Sequence, residues 1–291
     1  MLVLGSAPAR AVVVTDHLGR RVDVPSRPQR IVSLAPSLTE TLFALGAGNR
    51  VVGVTEYCDY PAEVKTKTKV GGMINPNIER LVALRPDLTL ITKEGNRRET
   101  LEALERLGIP VFVVETARLE SISKALRDLG RVIGEPATGE ALAGDLDRRI
   151  AAIRAAVRGQ VPRRALFLVW LQPLVTVGHE TFLDDLMESA GASSVSRSQS
   201  QPWPKMSVEE ILRQDPEYIL VPQSNDFSPT RDDLARVPGW RGLSAVRNDH
   251  ILYLNDAIQR PGPRIGEMLE SLARSLHPEA FAPKPKSRGG Q

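Results

Sequence analysis

The sequence predicts an α/β protein made of two Rossmann-like lobes that are bridged by one long helix, with a ligand cleft between the lobes. Three observations support this fold class: an internal repeat, strands that alternate with helices in both halves, and a long amphipathic stretch between the halves. The length of 291 residues also suits about two domains.

The internal repeat relates two segments, NIERLVALRPDLTLI at 77–91 and SVEEILRQDPEYILV at 207–221. Each begins with a residue that favours the N-cap of a helix, has a glutamate two positions later and has a proline at its tenth position. Since proline cannot continue a helix, each segment is predicted to form a short helix followed at once by a buried strand.

The elements around the repeat correspond as well. Residues 30–47 predict a strand, a loop with a proline, a helix and a terminating glycine, and residues 164–192 predict the same order with a longer loop. A further strand precedes a further helix in each half, at 110–115 and 122–133 in the first and at 250–255 and about 263–276 in the second. Such alternation predicts parallel sheets covered on both faces.

The stretch between the halves predicts the bridging helix. Residues 138–158 have no strand pattern, and their apolar side chains recur at spacings of three and four, as on one face of a helix. This apolar stripe consists of Leu142, Leu146, Ile150, Ile153 and Val157. A helix of about twenty residues spans about 30 Å, which is long enough to join two lobes.

The predicted domain boundaries follow from these elements. They are 1–23 for a signal-peptide remnant and N-terminal segment, 24–135 for the N-terminal lobe, 136–159 for the linker helix, 160–279 for the C-terminal lobe and 280–291 for a disordered tail.

The charge distribution gives no indication of a nucleic-acid partner. The formal net charge is +3, and the last ten residues carry all of it, because they contain Lys284, Lys286 and Arg288 and no acid. The rest of the chain is neutral. The single cysteine, Cys58, excludes an intrachain disulfide, and no apolar run reaches the roughly 18 residues of a membrane span. The apolar start and the segment Ala9-Arg10-Ala11 fit a signal remnant or, equally, a frayed terminus.

Signatures of catalysis are absent from the sequence. The segment Gly46-Ala47-Gly48 lacks the third glycine of a dinucleotide fingerprint, no phosphate-binding loop or nucleophile elbow occurs, and the four histidines are scattered. The pair Asp184-Asp185 is predicted to lie on a helix surface in contact with water. We therefore predict no catalytic residue, no metal site and no cofactor, and a protein that is not an enzyme.

Four segments together carry a family resemblance. They are RIVSLAPSLTE at 30–40, VGVTEYCDYP at 52–61, GGMINPNIERLVALRPDL at 71–88 and PWPKMSVEEIL at 202–212. They resemble the substrate-binding proteins of ABC importers of the cobalamin, haem and ferric-siderophore class, and vitamin-B12-binding proteins most of all. The resemblance covers about residues 15–278. It implies two lobes with a ligand between them, a periplasmic location, and docking on an ABC permease dimer with ATPase subunits. We expect a monomer with a small-molecule ligand.

The resemblance also implies a set of ligand-binding residues. Tyr57 matches a tyrosine that packs on the corrin ligand, and residues 256–260 match a loop that lines the same cleft, through Asp256 and Arg260. Trp203 and Trp170 are expected near the same face, with core packing as an even alternative for Trp170. Where the best-known cobalamin binders have tryptophans, this chain has Met73, Thr92 and Ala257, and Met73 is assigned to the ligand site.

Several ligands and two other functional classes remain open. A cobalt-containing corrinoid ranks first, an iron-containing haem with Tyr57 as ligand second, and a ferric siderophore third. The last would need arginines for an anionic ligand, and the candidates are Arg97, Arg98, Arg260 and Arg264. A metal or redox enzyme of two-lobed α/β build and a pure scaffold are the alternatives of another class.

Two glutamates are predicted to dock on the permease. Glu79 and Glu209 have the same position in the two repeats, and the resemblance implies that such glutamates bind arginines of the two permease subunits. The alternative is local, since an acid in the first turn stabilises a helix dipole. Glu210 is predicted to complete a capping box with Ser207.

Overall fold

Buried runs of valine, isoleucine and leucine form the strands of two separate parallel sheets, one in each of two units of the fold. The computed structural model describes residues 11–224 and 227–282. The N-terminal unit comprises Met1–Asp147 together with Arg260–Pro263, and the C-terminal unit comprises Arg148–Gln259 and Arg264–Gln291. The predicted signal remnant in the first ten residues and the predicted tail from residue 283 onwards lie outside the described residues.

The N-terminal unit contains a hairpin, a five-stranded parallel sheet and four helices. The hairpin consists of β1 (Ala11–Thr15) and β2 (Arg21–Pro25). The sheet strands are β3 (Ile31–Ser33), β4 (Val51–Val54), β5 (Thr68–Lys69), β6 (Leu88–Thr92) and β7 (Val111–Val114), in the order β5-β4-β3-β6-β7. The helices are α1 (Pro36–Ala44), α2 (Ile78–Ala83), α3 (Arg98–Arg106) and α4 (Leu119–Val132).

This sheet has an apolar core on each face, as the unbroken apolar strands predict. Alternate residues of β7 belong to different cores: Phe112 lies in one with α1 and α4, and Val113 lies in the other with α2 and α3. Because successive side chains of a strand point to opposite faces, helices must cover both. The N-terminal unit is therefore doubly wound, which confirms the predicted class for this half.

The hairpin covers the open edge of β7 and was not predicted. The N–H of His17 donates to the carbonyl of Val113 (3.1 Å), and the N–H of Val113 donates to the buried carboxylate of Asp16 (3.3 Å). Asp16 also accepts from Arg20 within the turn. A covered edge cannot pair with another chain, so the hairpin protects the sheet from edge association.

The C-terminal unit contains a second parallel sheet. Helix α5 (Pro136–Val157) leads into it from the N-terminal unit. The strands are β8 (Arg163–Leu171), β9 (Leu174–Thr176), β10 (Ala192–Ser194), β11 (Tyr218–Gln223) and β12 (Ile251–Asn255), and the helices are α6 (Phe182–Ser189), α7 (Val208–Gln214), α8 (Arg231–Arg236), α9 (Ser244–Arg247) and α10 (Ile265–Leu276). The order β10-β8-β11-β12 is parallel, and β9 pairs with β8 antiparallel. The longer loop predicted in this half holds β9.

The internal repeat is confirmed as a helix followed by a strand. The side chain of Asn77 caps α2 by accepting from the N–H of Arg80 (2.9 Å), and Ser207 caps α7 by accepting from the N–H of Glu210 (3.1 Å). In both copies the residue before the proline is left-handed, with φ of 45° at Arg85 and 41° at Asp215. That conformation ends each helix, and the proline lies between the helix and the following strand.

The predicted capping box at α7 is wrong. The carboxylate of Glu210 accepts from Arg213 and from the Gln214 side chain (3.2 Å). The Glu210 carboxylate therefore binds donors one turn further along the helix and not the main-chain N–H of Ser207.

Helix α5 has the predicted apolar face. Leu146, Ile150, Ile153 and Val157 are buried, and Leu142 is half-buried against the core of the N-terminal unit. The apolar spacing therefore identified both the helix and its buried side.

The acidic pair Asp184-Asp185 is buried, so the prediction of a solvated pair is wrong. Each residue is only 5% exposed. Asp185 Oδ1 lies 3.4 Å from an Arg154 nitrogen, and Asp184 Oδ2 lies 3.7 Å from Arg197 Nε and 3.4 Å from His179 Nδ1. Burial of these carboxylates is tolerated because basic side chains pair with both.

Within the described ranges, no helix combines the length and the apolar character needed to cross a membrane.

The contact between the hairpin and α4 predicts a pH-dependent stability. Asp128 accepts hydrogen bonds from His17 Nε2 (3.1 Å) and Lys124 Nζ (2.6 Å). Burial raises the pKa of Asp128, but these bonds outweigh burial and hold the pKa at about 2. Because the folded pKa lies below its ordinary value of 3.8, the ionised carboxylate stabilises the fold above about pH 4, and the gain is lost as the pH falls towards 2.

We expect Asp128→Asn to reduce the free energy of unfolding at pH 7 by on the order of 1 kcal/mol, allowing for solvent screening. The deficit should shrink towards pH 2 to 3, measured by urea unfolding at several pH values. Glu99→Gln, at an exposed acid of α3, is the control. A deficit that is constant over this pH range would contradict the role of the carboxylate charge.

Candidate functional site

The loops at the carboxyl edge of the N-terminal sheet carry two predicted ligand-binding residues. Parallel strands end at the same edge, so the loops after β4, β5 and β6 emerge together, where open α/β sheets bind ligands. Tyr57 in the β4 loop is 59% exposed, and Tyr60 and Ile74 nearby along this edge are also exposed. The edge therefore presents an aromatic and aliphatic surface to the solvent.

Tyr57 is exposed because its neighbour Cys58 is anchored inside. The Cys58 thiol lies 3.2 Å from the Thr39 hydroxyl and 3.1 Å from the Thr55 hydroxyl. Lys69 Nζ donates to the carbonyls of Cys58 (2.6 Å) and Thr55 (3.3 Å). These bonds fix the main chain on both sides of Tyr57, which leaves its ring free for a ligand.

Met73 is half-buried and is held by Asn96, a residue that the sequence analysis missed. Asn96 Nδ2 donates to the carbonyls of Met73 (2.7 Å) and Leu34 (3.0 Å), and its Oδ1 accepts from the N–H of Thr92 (2.8 Å). One side chain thus ties three loops at the centre of the sheet. A Cβ on Gly95 would lie 1.8 Å from Met73 Cε. The Gly-Asn pair after a buried strand was the signal available in the sequence.

Trp170 is an exposed aromatic residue near the carboxyl end of β8, not a core residue. Its ring is 44% exposed and stacks on Phe227, with ring centroids 5.2 Å apart and an interplanar angle of 27°. Its Nε1 donates to the carbonyl of Gln172 (3.0 Å). Phe227 was not predicted, because it lies far from Trp170 in the sequence.

Trp203 is displayed by a strand-like pairing with β9. The N–H groups of Thr176 and Gly178 donate to the carbonyls of Pro204 (3.1 Å) and Pro202 (2.9 Å), which flank Trp203 on either side. The Trp203 side chain is 47% exposed. Main-chain bonds, rather than packing of the indole, therefore set its position.

Asp256 and Arg260 have different surroundings. Asp256 is half-buried at the start of a 3-10 turn, Asp256–Gln259. Arg260 belongs to the N-terminal unit, where its guanidinium donates to Glu40 Oε1 (3.1 Å) and to both carboxylate oxygens of Asp59. Of the other arginines considered for an anionic ligand, Arg98 pairs with Glu102 (2.9 Å).

The two predicted docking glutamates are exposed in the first turns of α2 and α7. Hydrogen bonds from its own main-chain N–H and from the Ser207 hydroxyl lower the pKa of Glu209. The carboxylate is thus kept charged and accessible.

Over the part of the chain that the structure describes, no group of three or more His, Cys, Asp or Glu residues is arranged to hold a metal ion.

Both units have a parallel sheet with helices, and both expose aromatic side chains in their loops. The periplasmic binding protein family model matches residues 31–257, and the chain belongs to this family. It is the substrate-binding component of an ABC importer: it acts outside the cytoplasm, carries a small-molecule ligand and works with a permease and its ATPase. The relatives are binding proteins rather than enzymes, as predicted, so the alternative of a metal or redox enzyme falls away.

Individual relatives are named for binding vitamin B12 or heme. The vitamin B12-binding protein of Pectobacterium carotovorum (strain PC1) is 34% identical over 241 residues, which are 82% of this chain and 84% of that protein. The periplasmic vitamin B12 binding protein BtuF of Vibrio cholerae superposes with a TM-score of 0.77 at 28% identity, over 88% of this chain and 99% of that one. The periplasmic heme-binding protein RhuT of Roseiflexus sp. RS-1 gives 0.79 at 28% identity, over 87% and 99%.

The pairing that displays Trp203 predicts that Gly178 cannot be enlarged without moving the loop. A Cβ at Gly178 would lie 1.9 Å from the carbonyl oxygen of Gln201, so we expect Gly178→Ala to displace residues 201–204. The tryptophan emission spectrum should shift and Tm should fall by several degrees, about what 1–2 kcal/mol costs a chain of this size. Gly242→Ala is the matched control, because a Cβ there meets nothing within 4 Å.

The spectral shift should disappear when Trp203→Phe is added to Gly178→Ala. A shift that persists in this double variant would come from another tryptophan and would contradict the pairing as its cause.

Proposed function

We propose that the ligand is cobalamin or a related corrinoid. The observation that carries the proposal is a set of exposed aromatic side chains: Tyr57 in the loop after β4, Trp170 near the carboxyl end of β8, and Trp203 in the loop that pairs with β9. The vitamin B12-binding relatives support the same choice.

Aromatic surfaces suit a flat, largely apolar macrocycle. Each ring adds contact area at little cost in side-chain entropy, and a stacked pair contributes about 0.5–1.5 kcal/mol beyond its buried area. Met73, which replaces a flat ring by a flexible thioether, can adapt to an irregular ligand surface. Asp256 supplies a polar group for the rim of the ligand. The cleft between the lobes remains a prediction.

Haem is the second candidate. The exposed phenol of Tyr57 is chemically able to ligate ferric iron, and the heme-binding relatives support this alternative. A ferric siderophore is less favoured, because Arg98 and Arg260 already pair with carboxylates.

Titration of the protein with cyanocobalamin, haemin and a ferric siderophore tests the ligand, followed by tryptophan fluorescence. We expect cyanocobalamin to bind most tightly and Tyr57→Ala to weaken it by about 1 kcal/mol, or fivefold. Tyr253→Ala is the matched control, at an exposed tyrosine within β12. Tighter binding of haemin would favour the second candidate. Binding of all three no tighter than about millimolar would contradict ligand capture of this class.

We also propose that a monomer of this protein docks on a permease dimer through Glu79 and Glu209. Each lies in the first turn of an equivalent short helix and is exposed. Each unit presents one carboxylate from an equivalent helix, which suits a permease dimer with two-fold symmetry. An arginine of each permease subunit could form two hydrogen bonds with one of the carboxylates.

The double variant Glu79→Arg, Glu209→Arg should abolish uptake of labelled ligand by cells that carry the importer, while ligand affinity and Tm stay near the wild type. The matched control reverses Glu99 and Asp232, which are exposed first-turn acids of α3 and α8, one in each unit. Equal loss of uptake in both double variants would indicate a general charge effect and would rule out specific docking.

A further inference from the structure

The segment Arg260–Pro263 joins the N-terminal unit although it follows the strands of the other unit in sequence. Part of its contact is made by the guanidinium of Arg260. Arg260 donates to Glu40 Oε1 of α1 (3.1 Å) and forms a bidentate ion pair with Asp59, in which Nη2 lies 3.1 Å from Oδ2. Gly262 packs closely on α1, since a Cβ there would lie 3.2 Å from the carbonyl oxygen of Ser37. The segment thus links α1 to the β4 loop.

Burial makes this link a strong one. The side chain of Arg260 is 14% exposed and that of Glu40 is 3% exposed. A carboxylate so deeply buried needs a cation beside it, and the planar fork of arginine is well suited to bind two carboxylates at once. Removal of either partner would leave the buried charge of the other less well compensated, which costs more than the loss of a surface ion pair.

The link acts on the loop that displays Tyr57. Asp59 lies two residues after Tyr57 and directly before Tyr60. Lys69 fixes the same loop through the carbonyls of Thr55 and Cys58. Lys69 therefore holds the start and middle of the loop, and Arg260 holds it further on, at Asp59. The ring of Tyr57 is mostly exposed. Its direction therefore depends on where the main chain of the loop is held.

We propose that Arg260 is a positioning residue for ligand capture: through Asp59 and Glu40 it fixes the loop 55–61 and so sets the direction of Tyr57. This deepens the assignment of Arg260 to the ligand site and rests on the proposed function. The chain contains its own reporter for a test that needs no ligand. Cys58 is the single cysteine, lies between Tyr57 and Asp59, and is buried.

The first measurement is the rate at which a thiol reagent labels Cys58 in the native protein. Arg260→Gln and Asp59→Asn should each raise the rate about tenfold, and the double variant should be no faster than the faster single variant, because both changes break one link. Arg260→Lys keeps the positive charge but lacks the planar guanidinium that can bind two carboxylates. Its labelling rate should therefore lie between those of the wild type and Arg260→Gln. This conservative variant keeps the test decisive if Arg260→Gln does not fold.

The matched control is Arg50→Gln. Arg50 is another buried arginine of the same unit, paired with Glu135 (3.1 Å) and bonded to the carbonyls of Pro28 and Ile133. It should lower Tm without increasing the labelling of Cys58. Labelling rates of the Arg260 and Asp59 variants within twofold of wild type would overturn the proposal, as would equal acceleration in Arg50→Gln.

The second measurement is the affinity for cyanocobalamin in the same variants. Arg260→Gln and Asp59→Asn should each weaken binding by a similar factor, and the double variant should be no weaker than the weaker single variant. Losses that multiply in the double variant would show that Arg260 acts independently of Asp59 and would contradict positioning. If wild-type protein binds none of the tested ligands, the proposed function fails, and the labelling rates still decide whether Arg260 holds the loop.

Discussion

Parallel pairing of the strands is the constraint on which the rest of this structure depends. It brings the carboxyl ends of all strands of a sheet to one edge, so residues far apart in sequence emerge side by side. Tyr57 follows β4, Met73 follows β5 and Asn96 follows β6, and Asn96 bonds directly to the loop of Met73. The site of the N-terminal unit is therefore a consequence of the sheet, and no single segment of the sequence contains it.

Exposed aromatic residues bind a ligand well only if their main chain is held in place. A ring on a mobile loop would have to be ordered on binding, and the lost conformational entropy would offset the gain from contact. The two units meet this requirement differently. In the N-terminal unit, half-buried polar side chains such as Asn96 and Arg260 tie the loops to the ends of strands and to α1. In the C-terminal unit, main-chain pairing with β9 holds the loop of Trp203. The first arrangement is sensitive to substitution of single side chains, and the second is sensitive to steric change at Gly178.

Local patterns predicted the framework well, and distant partners account for what they missed. The caps Asn77 and Ser207, the prolines after them and the apolar stripe of α5 act within one or two turns, so the sequence reveals them. The burial of Asp184 and Asp185 depends on Arg154 and Arg197, which lie elsewhere in the chain. The pairing of Arg260 with Asp59 spans 201 residues. Sequence periodicity does not reveal contacts between such distant residues. The sequence therefore indicated Arg260 as a ligand-binding candidate, and only the structure shows that it pairs with carboxylates.

The repeat explains how such a protein can change its ligand without changing its fold. Arg85 and Asp215 keep the same left-handed conformation before a proline, so the helix-to-strand junction is maintained by the backbone and tolerates different side chains. The residues proposed for ligand binding in the N-terminal unit, Tyr57 and Met73, lie beyond the opposite ends of the strands, away from that junction. Asn96 binds the main-chain carbonyl of Met73, so its hold on this loop does not depend on the Met73 side chain. A side chain whose loop is held through a main-chain carbonyl can therefore be substituted without loss of that bond, whereas the loop of Tyr57 also depends on the side chain of Asp59, which pairs with Arg260.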